Sequence, residues 1–211
     1  MKKLKLKSVV KKTIITAFLL IVVTFSMFLL TKNTPSKTVK DKYVYVNDYI
    51  FDNYYPVINQ EEKAILPYKD ESVKINKNFY DLNDTEENQQ KSIVYHEGIY
   101  MQNSGIDYIS DNSFDIISVF SGTITNVSED SLLGKTLEVK VSNDITMLYQ
   151  CLSETNVKKG DVIVQDDVIG KSGSCSLYGN EKNNLHIEMY KNGSVINPLK
   201  VYNKSIKEIE I

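Results

Sequence analysis

Histidine, cysteine and arginine are the scarce residues of this 211-residue chain: two, two and none. A hydrolytic zinc takes about three protein ligands and a base beside its bound water. His96 and His186 are the chain's only imidazoles and cannot complete such a centre by themselves. Affinity for nucleic acid rests on neutralising phosphates. Without arginine, and with the acid excess described below, the chain is a poor candidate for nucleic acid as a partner. Two cysteines, Cys151 and Cys175, permit at most one internal bridge. Export would allow a disulfide, but the reach between the two Cα atoms is not readable from sequence, and the expectation is two free thiols. Internal repeats and heptads are also missing.

What the chain does have begins with a basic start. Met1–Lys12 carries six lysines and no acid, and Thr13–Leu30 follows as an uncharged apolar run of 18 residues. As a helix such a run would span about 27 Å, close to the hydrocarbon thickness of a bilayer. A cleavable signal peptide is the competing reading. It would have a shorter core ending in an Ala-x-Ala-like site, and Ser26–Thr31 offers none. An uncleaved anchor is therefore expected, with the lysine cluster cytoplasmic. The 27 acids all lie after Leu30, where 19 of the 25 lysines remain, so the external part carries −8. The expected division is a basic stub (1–12), a transmembrane helix (13–30), a spacer and linking segment (31–75), a folded domain (76–202) and a tail (203–211). A short helix is expected before Pro56, and a strand, turn and strand over Ala64–Tyr80.

From Ser92 onward, short β-rich segments are separated by Gly98, Gly105, Gly122, Gly134, Gly160 and Gly173, the punctuation of an antiparallel β domain. Alternation with period two selects Ile106, Ile109, Val119, Ile124, Leu137, Val139, Leu148, Val162, Val168 and Ile187 as core. The charged tail after Tyr202 reads as peripheral, and His96 as a surface or turn residue.

Four stretches between Phe79 and Pro198 carry a resemblance. Asn103-Ser104-Gly105-Ile106-Asp107 is similar to a His-x-Gly-x-Asp segment. Leu148-Tyr149-Gln150-Cys151-Leu152-Ser153 is similar to Tyr-x-His-Leu-Ser. Val157–Gly160, Val168–Gly170 and Ser172-Gly173 fit a run of short strands and glycine turns. Asn184-Leu185-His186-Ile187-Glu188 is similar to His-Leu-His-Phe-Glu. Together they resemble the LytM/lysostaphin-type zinc endopeptidases of peptidoglycan. The resemblance implies a mainly β fold, an antiparallel β LytM-type (duplicated hybrid motif-like) domain that follows the single N-terminal transmembrane helix expected from the apolar run. It also implies vestigial ligand positions at Asn103, Asp107 and His186, and vestigial catalytic positions at Cys151 and Asn184. Residues i and i+2 of a strand face one way, so positions 184 and 186 address a single site. An amide and one imidazole there cannot replace two imidazoles, because Asn is a poor zinc ligand and cannot take up a proton near neutral pH. No catalytic residue, metal or cofactor is expected. His186 and Asp107 should form a polar cluster beside the two asparagines.

A narrower likeness rests on Asn78-Phe79-Tyr80-Asp81, Glu87, Gln90, Ser92-Ile93-Val94-Tyr95, Tyr100 and Gly105-Ile106-Asp107. These are similar to the stage II sporulation protein Q group of endospore-forming bacteria. That likeness implies a non-catalytic protein of the inner forespore membrane. Its external domain would bind a stage III sporulation protein AH-like ectodomain from the mother cell, forming an intermembrane channel or zipper in engulfment and forespore development. An alternative is a non-catalytic activator or recruiter of a cell-wall hydrolase, with possible peptidoglycan contact. An active zinc endopeptidase ranks last.

Overall fold

The computed structural model describes residues 59–179 and 182–210. The expected stub, membrane run and short helix before Pro56 lie outside the described residues, as does most of the spacer. Among the described residues, no helix is long and apolar enough to cross a membrane.

Among the described residues, alternating and β-branched sequence produces twelve strands: β1 (Lys74–Lys77), β2 (Ile93–His96), β3 (Ile99–Gln102), β4 (Ile106–Ile109), β5 (Asp115–Ile117), β6 (Gly122–Asp130), β7 (Gly134–Lys140), β8 (Ile145–Thr155), β9 (Val162–Ile163), β10 (Val168–Ser172), β11 (Asn184–Lys191) and β12 (Ser194–Ile196). Ten form one sheet in the order β1-β4-β11-β8-β7-β6-β9, with β12 on β11 and β10 joining β5 to β8. Its pairings are antiparallel. β2 and β3 make a separate hairpin across Glu97 (φ 47°) and Gly98 (φ 87°), the positive-φ pair that two-residue hairpin turns require. Helix α1 (Glu86–Lys91) was not expected. It is capped by the Thr85 hydroxyl accepting from the Asn88 N–H and has two acids in its first turn.

The core lies on one face of the sheet. From β4, β11, β8 and β7 it takes Ile106, Tyr108, Leu185, Ile187, Met189, Met147, Tyr149, Leu137 and Val139, closed over by residues including Ile116, Val119, Phe120 and Ile169. Buried phenols have partners: Tyr149 donates to Met147 Sδ and accepts from the Val119 N–H at 3.0 Å, and the Tyr108 and Tyr202 hydroxyls lie 2.8 Å apart. Six of the ten expected core positions are fully buried. Val162 and Val168 are instead 57% and 44% exposed, and Ile109 and Leu148 are partly exposed. In each case the neighbour one step along takes the inward place: Ile163, Ile169, Tyr108 and Tyr149. A one-residue error in strand phase exchanges the two faces.

Two boundaries also move. Ala64 and Val73 are buried, as are Ser205, Ile206 and Ile209. Backbone bonds join Ala64 to Asn203 and Lys204, and Lys63 bridges Ser205. The tail expected to be peripheral therefore closes the core and ties down the segment before β1. Ala64 lies in no strand, so the expected strand-turn-strand reduces to a turn at Asp70 followed by β1.

Candidate functional site

Strand β11 is buried along its first six residues, although polar and apolar side chains alternate there. Leu185, Ile187 and Met189 enter the core. Asn184, His186 and Glu188 point the other way and are 0%, 0% and 7% exposed. Directly opposed residues of antiparallel strands share a face. The register His186↔Asp107 on one side and His186↔Gln150 on the other therefore collects Asp107, His186 and Gln150 into one row. Gly105 lets the chain before β4 approach this row: a Cβ there would lie 2.7 Å from His186 Nε2 and 2.1 Å from the Ile187 carbonyl oxygen.

His186 is the hub. Its Nδ1 is 2.8 Å from Asp107 Oδ1, and its Nε2 is 2.9 Å from the Tyr178 hydroxyl and 3.4 Å from Glu188 Oε1. The Tyr178 ring stacks on the imidazole with centroids 4.0 Å apart. Ser104 donates to Glu188 Oε1, and Tyr190 donates to Glu188 Oε2 at 2.6 Å. Asn103 donates to the carbonyls of Asn78 and Gly105 at 3.0 Å and to Asp107 Oδ2 at 3.4 Å. Burial presses the imidazole toward its neutral form. The carboxylates of Asp107 and Glu188 outweigh that pressure and raise its pKa above the ordinary 6.5. Burial alone would lift Glu188, yet the bonds from His186, Ser104 and Tyr190 lower it to about 2. Burial, then Glu188, raises the Tyr190 phenol.

His186 thus lies between the carboxyl groups of Asp107 and Glu188. Both ring nitrogens of His186 are engaged within this cluster, Asp107 is committed to His186 and Asn103, and the amides of Asn103 and Asn184 are weak metal donors. The donor set does not fit a hydrolytic zinc. The other amides are poorly placed even as a polar network: Asn103 Oδ1, Gln150 Oε1 and both polar atoms of Asn184 are buried without a protein partner. Each such atom costs about 1–3 kcal/mol. Asn184 thus stays out of the polar cluster that includes Asn103, Asp107 and His186.

The expectation of free thiols is corrected. Cys151 and Cys175 are joined as a disulfide, with Cα atoms 4.9 Å apart. β8 carries an extra residue between its pairings Leu137↔Tyr149 and Lys135↔Leu152, where Cys151 takes φ 65°. That bulge, with the tight approach of Gly173 to Leu152 and Ser153, brings the two sulfurs together. The bridge attaches the segment Gly173–Gly179, which carries Tyr178, to the sheet. Ser104, Gln150, Tyr178, Glu188 and Tyr190 were not anticipated as parts of the site. Glu188 and Tyr190 continue the i+2 series of His186 and were legible in principle; Tyr178 comes from a loop and left no signal. His96 is remote from this row, near the end of β2 with a side chain 22% exposed.

Among the described residues, no group of three or more His, Cys, Asp or Glu is placed to hold a metal ion. Comparison with known proteins places this geometry in a class. The model of peptidase family M23 matches residues 101–198. A zinc-containing peptidase from Vibrio cholerae has the same fold, with TM-score 0.50 and 17% identity over 64% of this chain and 39% of that one. Residues 101–198 thus carry an M23-type domain. Stage II sporulation protein Q of Bacillus subtilis (strain 168) is 34% identical over 153 residues, 71% of this chain and 54% of that protein. The chain thus spans about half the length of that curated relative. A solved structure described as the SpoIIQ–SpoIIIAH pore-forming complex matches with TM-score 0.68 and 31% identity, over 72% of this chain and 99% of that one. The chain belongs to the stage II sporulation protein Q family.

Proposed function

We propose that the chain is a non-catalytic, membrane-anchored sporulation protein whose M23-type domain binds an ectodomain of the stage III sporulation protein AH type. The observation that carries this reading is the match to the relative solved with SpoIIIAH, which spans 99% of that chain. Residues 13–30 supply the anchor, residues 1–12 stay in the cytoplasm, and the acidic domain stands in the space between the two forespore membranes. There the pair builds a channel or zipper used in engulfment and forespore development. The M23 scaffold contributes surfaces, since exposed strand edges accept other chains through main-chain bonds. It contributes no hydrolysis: Asn103 and Asn184 stand at vestigial ligand and catalytic positions, Cys151 is consumed by a disulfide, and His186 is hydrogen-bonded to Asp107.

The test is co-purification of the full chain with the mother-cell ectodomain, with zinc measured by elemental analysis in the same preparation. Binding with far less than one equivalent of zinc is expected. Failure to bind, alongside tight binding to a wall amidase, would favour an activator of a cell-wall hydrolase. One equivalent of zinc with cleavage of wall peptides would restore the enzyme.

A further inference from the structure

We propose that the Cys151–Cys175 disulfide is a latch that closes a strap, Gly173–Gly179, over His186, so that access to the polar face of the sheet is set by the oxidation state of the two cysteines. The strap begins where Gly173 and Asn184 exchange backbone bonds of 3.0 and 2.8 Å. Beyond that point, among the described residues, two hydrogen bonds leave the strap apart from that of Tyr178. Leu177 N–H donates to the Leu132 carbonyl at 3.0 Å, and the Ser176 hydroxyl donates to the Ser131 carbonyl at 2.7 Å. Both partners belong to the exposed turn between β6 and β7, where Leu132 is 40% exposed. The disulfide is the strap's buried tie, with Cys151 and Cys175 exposed by 0% and 4%. The plug itself is Tyr178, stacked on the imidazole with its hydroxyl on Nε2.

A second, independent observation shows why a latch is needed. On the face of the sheet that His186 shares, both polar atoms of Asn184 and Gln150 Oε1 are buried without a protein partner. Opening would let water satisfy them, so desolvation favours the open form and the covalent tie opposes it. The dithiol chain is open. Transfer of two electrons and two protons from the Cys151 and Cys175 thiols to a disulfide-bearing oxidant forms the S–S bond, converts that oxidant to its dithiol, and closes the strap. This inference stands apart from the choice of protein partner.

The experiment is nuclear magnetic resonance of the full chain with a soluble paramagnetic relaxation agent, which reads population-weighted exposure. The oxidised chain is compared with the dithiothreitol-reduced chain and with Cys175→Ser. Relaxation enhancement at the His186 ring and the Asn184 side-chain amide is expected to rise at least ~5-fold when the latch is absent, with the Ile187 and Met189 methyls on the opposite face unchanged. In the oxidised chain, Tyr178→Ala should raise the enhancement at His186 with the disulfide intact. No rise at His186 in the reduced chain would overturn the latch, since the Leu132 and Ser131 contacts would then suffice. An equal rise at Ile187 would also overturn it, by showing a general loosening. No rise in Tyr178→Ala would show that Tyr178 is not the plug.

Discussion

The two faces of strand β11 are equally dry and chemically opposite. Leu185, Ile187 and Met189 enter an apolar core; Asn184, His186 and Glu188, interleaved with them, enter a polar row that is buried as deeply. The apolar face is held by area removed from water, about 25 cal/mol per Å², and neighbouring methyl groups can share that work. The polar face has no such reserve. Its charges hold one another in place, and an amide that misses its partner loses the bond and keeps the cost of desolvation. One face stabilises the fold by composition, the other by fixed arrangement.

The largest break in that comparison should come from the ion pair. Asp107→Ala leaves the His186 imidazole without its nearest anion, and a loss of about 3–5 kcal/mol is expected in denaturant unfolding. A loss below 1 kcal/mol would show that the imidazole is neutral and indifferent to Asp107. Next in size is a gain: Asn184→Leu removes two unpartnered polar atoms and should stabilise by about 1–3 kcal/mol. If the variant is less stable than the parent, the amide has a partner of its own and the polar face is better satisfied than its bonds indicate. On the apolar side, Ile187→Val should cost about 0.5–1.5 kcal/mol, the ordinary cost of one buried methylene.

The gentlest probe is pH. His186 has a folded-state pKa raised above its ordinary 6.5, so its contribution is complete below about pH 6.5 and is lost as pH rises through the folded value. Glu188 works in the opposite direction. Its pKa is lowered from 4.5 to about 2, so its contribution is present above about pH 4.5 and fades as pH falls toward 2. Unfolding midpoints of the parent minus those of His186→Gln should decline as pH rises above about 6.5. A flat difference would mean that His186 does not exchange its proton in that range.

How much of this was legible differs from residue to residue. The antiparallel β class and the burial of Ile106, Val119, Ile124, Leu137, Val139 and Ile187 follow local patterns, alternation and glycine spacing, whereas the association of His186 with Asp107 was implied by the resemblance to the zinc endopeptidases. Val162 and Val168 were misplaced because the short strands β9 and β10 give too few residues to fix their phase. Helix α1 escaped notice because it buries nothing and shows no apolar stripe. Thr85 followed by Glu86 and Glu87 was its one signal, a cap with acids in the first turn. The tail was misjudged because its charges are frequent, although Ile206 and Ile209 carry its packing.

The amino-acid order by itself determined the supply of donors: two imidazoles, no arginine, and asparagines at positions 103 and 184. No folding can add a lone pair that the side chains do not own. Tertiary structure alone decided what those groups do to one another. Residues 107 and 186 meet across β4 and β11 at 2.8 Å, residues 151 and 175 meet through a bulge and a glycine turn, and Tyr178 arrives from a loop to cover the imidazole. Each of these is a distance between segments far apart in the chain. Such distances are set by sheet register and loop closure, which depend on the whole core and are not properties of any short stretch of sequence.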